Sequence, residues 1–223
     1  MRKLETTSDL LEFGTYIEIE SLSYYLDKLH TQLGNMTEDF MEWTKSEVQK
    51  IEDAERRGNV FDANLVEYWQ LTKVFPRLFL NSFHIAAYSL LETETRKIAT
   101  QIGKKQNQKF EVSEIRSGGY LESAIYYIKK LTGIDAKNPR QFSCWSDLKD
   151  GQELRNTIVH FNGEVIKERG IKLAKKCGVY DYDASSTSGK EVTITHDYCK
   201  KFIDSLRAFF SEMYAQMKAG DFL

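Results

Sequence analysis

The stretch LRNTIVHFNG, residues 154–163, gathers the side chains with the most chemistry to offer in this chain. Asn156 follows Arg155 directly, and His160 lies five positions after the arginine. On an α-helix five residues turn about 140° and rise roughly 7.5 Å. The two groups do not stack on one stripe, yet a long guanidinium can reach around to the cleft that the imidazole enters. Ile158 and Val159, between them, are expected to face the core and fix the register. Asn162-Gly163 is a good C-cap pair, which puts His160 in the last helical turn. Arginine grips phosphate, and histidine ordinarily titrates near pH 6.5. Together they are the minimum equipment for phosphodiester chemistry without a metal.

Rival chemistries lack their residues. There is no phosphate-cradling glycine loop, no HExxH motif, no GxSxG elbow and no EF-hand loop. Cys144, Cys177 and Cys199 form no CxxC pair, and His30, His84, His160 and His196 are not at ligand spacing to them. Neither a metal site nor a cofactor is expected. An odd, scattered set of cysteines points to reduced thiols, hence to the cytoplasm. His84, inside FLNSFHIAAY, reads as a hydrogen-bonded core histidine. His30 reads as a cation near the end of the first helix.

The elements that must hold this stretch are mostly helical. Only two prolines, Pro76 and Pro139, punctuate 223 residues, which favours helices over turn-rich folds. Ile19, Leu22, Leu26 and Leu29 mark an amphipathic helix over 18–33. Thr37 is an N-cap for a second that ends at Gly58-Asn59. A third begins near Asp62 and breaks near Phe75, because a residue before proline disfavours the α conformation. Leu78 to Ile102 is apolar around most of its circumference and reads as a central buried helix. Another helix runs from Tyr120 to Leu131, after Gly118-Gly119 and before Gly133. The motif stretch, from Trp145 onward, is one helix or two with a kink at Gly151. Residues 164–195 contain a polar Ser/Gly-rich loop and the run EVTIT, expected as a hairpin or flap before a final helix over 197–218. The fold class is therefore all-α: one helical domain over 1–223, with a helical extension over 1–60 and a core over 61–223.

Charge is uneven despite a net of −2. Residues 1–70 hold 15 acids against 7 bases, and the remainder 18 against 24. A polyanion would meet the second part, and the first suits a protein partner. No signal peptide and no run of about 18 apolar residues is present, so a soluble cytoplasmic protein without membrane contact is expected.

The string R-N-T-I-V-H resembles the R-[polar]-x-x-x-H signature of the HEPN domains, helical proteins that often act as metal-independent ribonucleases. The likeness extends over roughly residues 75–215. Trp145, Leu148 and Leu154 lead into the motif, Phe161-Asn162-Gly163 leaves it, and residues 75–99 are similar to the long helix that packs on the motif helix. The resemblance implies that Arg155 binds the scissile phosphate, His160 transfers protons during attack by the ribose 2′-hydroxyl, and Asn156 orients the pair. Glu92, on the long helix, becomes a candidate partner of Arg155. It also implies a homodimer with both motif helices at the interface. A subgroup controlled by adenylylation carries tyrosine two residues after the histidine; Asn162 stands there, so that control is not indicated. The expected function is an RNA-cleaving endoribonuclease of the toxin or phage-defence type, with an antitoxin or regulatory protein as a further partner. The alternative is a catalytically silent HEPN-like interaction or scaffold protein.

Overall fold

Thr6 and Asp9 open the first helix. The Thr6 hydroxyl accepts from the Asp9 amide at 3.1 Å, and the Asp9 carboxylate accepts from the Thr6 amide at 3.3 Å, a reciprocal capping box. The computed structural model describes residues 6–115, 118–161, 168–177, 180–181 and 191–223, with backbone alone for Thr7, Phe61, Phe161, Arg169, Tyr180, Asp181 and Glu191.

Helix α1 (Thr7–Gln49) is continuous. The break expected before Thr37 is absent because the Thr37 hydroxyl donates back to the Leu33 carbonyl at 2.8 Å, a bond that satisfies it inside a helix. The real break falls at 50–53, where Asp53 caps α2 (Ala54–Trp69) by accepting from the Arg56 amide at 2.8 Å. Gly58-Asn59 and Asp62 lie within α2, so neither ends or starts a helix. Residue 60 is not a boundary in the packing either. Ile19 and Leu26 of α1 share one hydrophobic cluster with the later helices.

Pro76 leaves its mark differently from the expected break. The helical path continues through a π segment, Gln70–Val74, in which the Phe75 amide donates to the Gln70 carbonyl. Helix α3 (Phe75–Lys105) then starts with Pro76 in its first turn, where the missing N–H costs little. Its Leu80, Phe83, Ala87, Leu91, Ile98 and Ile102 are buried, as the apolar circumference predicts. After a single 3-10 turn, Val112–Glu114, helix α4 (Tyr120–Thr132) ends at Gly133, whose φ of 78° suits glycine. Gly103 abuts Tyr127, and Gln106 Nε2 donates to the Leu131 carbonyl at 3.3 Å. Hence α3 and α4 run side by side in the same direction.

Helix α5 (Trp145–Phe161) is unbroken, and α6 (Glu168–Lys176) follows. Two-residue strands β1 (Tyr180–Asp181) and β2 (Glu191–Val192) pair antiparallel. The Ser/Gly-rich connection between them lies outside the described residues. Helix α7 (His196–Ala219) closes the chain, capped by the Thr195 hydroxyl accepting from the Tyr198 amide at 3.1 Å. The architecture is an all-α bundle, and no described helix is long and apolar enough to cross a membrane.

Ion pairs bind α1 to α7 in antiparallel order. Lys218 meets Asp9 and Glu12, Arg207 meets Glu20, and Lys200 and His196 meet Asp27. His30 is therefore no helix-end cation. It sits mid-helix and stacks on His196 with ring centroids 4.0 Å apart.

Gly151 is no kink. A Cβ there would fall 2.3 Å from Phe202 Cε2, so glycine permits α7 to approach α5. Overpacking costs roughly 1–3 kcal/mol, against about 1 kcal/mol of helix propensity gained from alanine. Gly151→Ala is expected to lower the urea midpoint, and Phe202→Leu to abolish that penalty in the double variant. A stabilised Gly151→Ala single variant would contradict the packing.

Candidate functional site

Three side chains of α3 at four-residue spacing, His84, Tyr88 and Glu92, lie beneath the motif helix. His84 is wholly buried, and its Nε2–H donates to the Gly151 carbonyl at 2.9 Å. In an α-helix that carbonyl also pairs with the amide of residue 155. The contact thus anchors the backbone turn that carries Arg155. Tyr198 and Phe202 pack edge-on against the imidazole, with centroids 5.4 and 4.8 Å away. His84 is the core histidine that the sequence suggests. Burial holds its pKa down to about 4, so the ring is neutral.

One turn on, Tyr88 is fully buried, and Arg155 Cζ lies 5.8 Å from its ring centroid, within cation–π range. Arg155 Nη1 donates to Asn156 Oδ1 at 3.0 Å. Arg155 Nε and Tyr88 Oη are buried and have no hydrogen-bond partner among the described residues. Burial, with Glu92 adding, holds the Tyr88 phenol well above its ordinary value, so it stays neutral. Glu92 is half-buried. Burial raises its carboxyl, opposed by the Arg155 charge, and the two form no direct ion pair among the described residues.

His160 stands in the last turn of α5, exposed, with no hydrogen bond or ion pair among the described residues. Ile158 faces the core as expected, but Val159 is 48% exposed. Val159 and His160 are therefore exposed at the end of α5, while Arg155 turns towards α3. The arrangement brings Arg155, Asn156, Tyr88 and Glu92 together. Among the described residues no hydrogen bond, ion pair or ring contact joins His160 to the arginine. Asn162 lies outside the described residues. Tyr88 was readable only as part of a stripe with His84 and Glu92, because nothing in its own neighbours marks it as polar machinery.

Among the described residues no cluster of three His, Cys, Asp or Glu is placed to hold a metal. Cys144 and Cys199 are buried, and burial pushes their thiols up to about 11 and about 12. Such thiols are poor nucleophiles at neutral pH.

No family model matches the chain, and no similar curated protein or solved structure is found.

The neutral His84 makes stability depend on pH. Its folded pKa, about 4, lies below the ordinary 6.5, so the unfolded chain binds the extra proton first. Its contribution is complete above pH 6.5 and is lost as pH falls towards 4, by about 3 kcal/mol at pH 4. Urea unfolding of the wild type and His84→Gln at pH 7, 5.5 and 4.5 checks this. The difference between the two proteins is expected to shrink as pH falls, and a constant difference would contradict a buried neutral imidazole.

Proposed function

We propose that this chain is a metal-independent endoribonuclease of the HEPN type, of the toxin or phage-defence kind, acting as a two-fold dimer around α5. The observation that supports it most is the seating of Arg155. Its backbone is anchored through Gly151 and His84, its guanidinium is held by Asn156 and Tyr88, and His160 is exposed about one and a half turns further on. On this reading β1 and β2 form the base of a flap before α7.

Arg155 grips the scissile phosphate and offsets charge that grows on its oxygens. The 2′-hydroxyl loses its proton to a neutral imidazole, and its oxygen bonds to phosphorus. The P–O5′ bond then breaks, and the leaving oxygen takes a proton from an imidazolium. One His160 cannot do both at once. Two copies facing each other supply an imidazole on each side, which is the chemical reason for a dimer. The products are a 2′,3′-cyclic phosphate and a 5′-hydroxyl.

A second reading has its own observation. The buried Nε and the aromatic contact are what a structural arginine would show, which favours a silent scaffold.

End-group analysis of RNA incubated with the purified chain separates them. Cleavage is expected to survive EDTA, to leave cyclic phosphate and 5′-hydroxyl ends, and to fail on RNA with a 2′-deoxy residue at the cut. His160→Ala is expected to lose about 10²–10⁴-fold in turnover, and Arg155→Ala at least as much. His160 is exposed, so its variant stays folded. Arg155 is half-buried, so its thermal midpoint must accompany its kinetics. Product 5′-phosphates, or full activity in both variants, would contradict the mechanism. No cleavage by the wild type, with a stable dimer, would favour the scaffold.

A further inference from the structure

We infer that Tyr88 is the positioning residue of the Arg155 guanidinium: the face of its ring holds the Nε edge in the core and leaves the Nη edge for an anion. The inference rests on the endoribonuclease reading for its consequence in catalysis, but not for its geometry.

Arginine has five N–H donors on a plane. Here Nη1 is bound to Asn156 Oδ1 at 3.0 Å, and Nε is buried with no acceptor among the described residues. Asn156 neighbours Arg155 on the same helix and fixes one corner of the plane only. Something else must resist rotation about the side-chain stem. The Tyr88 ring does, with its centroid 5.8 Å from Arg155 Cζ. It belongs to a different helix and is fully buried, so it cannot follow the arginine outward. A flexible surface arginine would pay the ordering entropy when substrate arrives, whereas a seated one has already paid it.

The ring, not the hydroxyl, carries this role. Tyr88 Oη has no hydrogen-bond partner among the described residues, Arg155 included, so it contributes no bond to the guanidinium. A phenylalanine offers the same π face and should serve as well. An aliphatic side chain fills the space and offers no π face. Glu92 lies one turn further along α3 and adds opposite charge without a direct ion pair, so it pulls on the guanidinium without setting its plane.

The test uses the full chain and three variants, Tyr88→Phe, Tyr88→Leu and Tyr88→Met. Two readouts are taken: the ¹⁵N-correlated Nε–H resonance of Arg155, assigned by its loss in Arg155→Lys, and kcat and KM on single-stranded RNA. In the wild type and Tyr88→Phe the Nε–H signal is expected shifted by the ring and slow to exchange with water. In Tyr88→Leu it moves to the position of a free arginine, and kcat falls about ten-fold while KM changes less, the size a desolvated cation–π contact allows. If Tyr88→Leu does not fold, Tyr88→Met is read the same way. An unmoved resonance in the aliphatic variants overturns the inference, as does an equal loss in Tyr88→Phe. If the wild type cleaves no RNA, the endoribonuclease reading fails, and the resonance alone then decides whether Tyr88 positions Arg155.

Discussion

Everything proposed for α5 depends on how closely it sits against α3 and α7, and that closeness depends on the absence of a side chain at residue 151. With no Cβ in the way, the Phe202 ring packs on the α5 backbone, and His84 reaches the Gly151 carbonyl. Two helices thus converge on one backbone unit. The turn that follows carries Arg155, so its stem emerges from a fixed point. A helix held only by side-chain burial could slide or rotate by a fraction of a turn at small cost. A buried hydrogen bond to a mid-helix carbonyl removes that freedom, because breaking it would strand the imidazole donor.

Electrostatics shape the rest of the bundle. The acidic surplus of the first 70 residues looks in sequence like a surface for a partner. Four of its fifteen acids make pairs with the last helix, where Asp9, Glu12, Glu20 and Asp27 of α1 face Lys218, Arg207, Lys200 and His196 of α7. The basic surplus of the later residues is reduced by the same pairs. Exposed pairs of this kind contribute little stability each, but their order along both helices specifies an antiparallel alignment. Beneath them a buried polar knot reinforces it: the Thr15 hydroxyl lies 2.9 Å from Glu94 Oε2 and 2.8 Å from Tyr214 Oη. That knot ties α1, α3 and α7 at one point and makes the N-terminal half of α1 an integral part of the core.

The central helix, the stop at Gly133, the last helix and the core role of His84 were legible because each depends on a local pattern. Burial periodicity marks α3 and α7, a left-handed glycine ends α4, and a lone histidine in an apolar run must find a buried partner. The errors came where one residue type serves two ends. Thr37 looks like a cap, yet threonine inside a helix can turn its hydroxyl back to the carbonyl four residues earlier. Gly58-Asn59 looks like a stop, yet nothing there crowds the backbone, so a helix passes through it. Asp53 gave the true start but was hidden by the stronger signal nearby. In the motif, Ile158 and Val159 lie about 100° apart around the helix, and the packing, not the local pattern, buries the first and leaves the second 48% exposed. The partnership of Tyr88 with Arg155 joins residues far apart in sequence, and no local spacing predicts it.

The central claim is that the phosphate of RNA comes to the Arg155 edge of α5. The most direct measurement is a crystal structure of His160→Ala bound to an RNA whose cleavage point carries a 2′-deoxy residue. The account predicts a second copy across α5 and the scissile phosphate within about 3 Å of an Arg155 Nη atom, with the guanidinium still lying over Tyr88. RNA bound elsewhere on the bundle, with Arg155 touching only Asn156 and Tyr88, would contradict it.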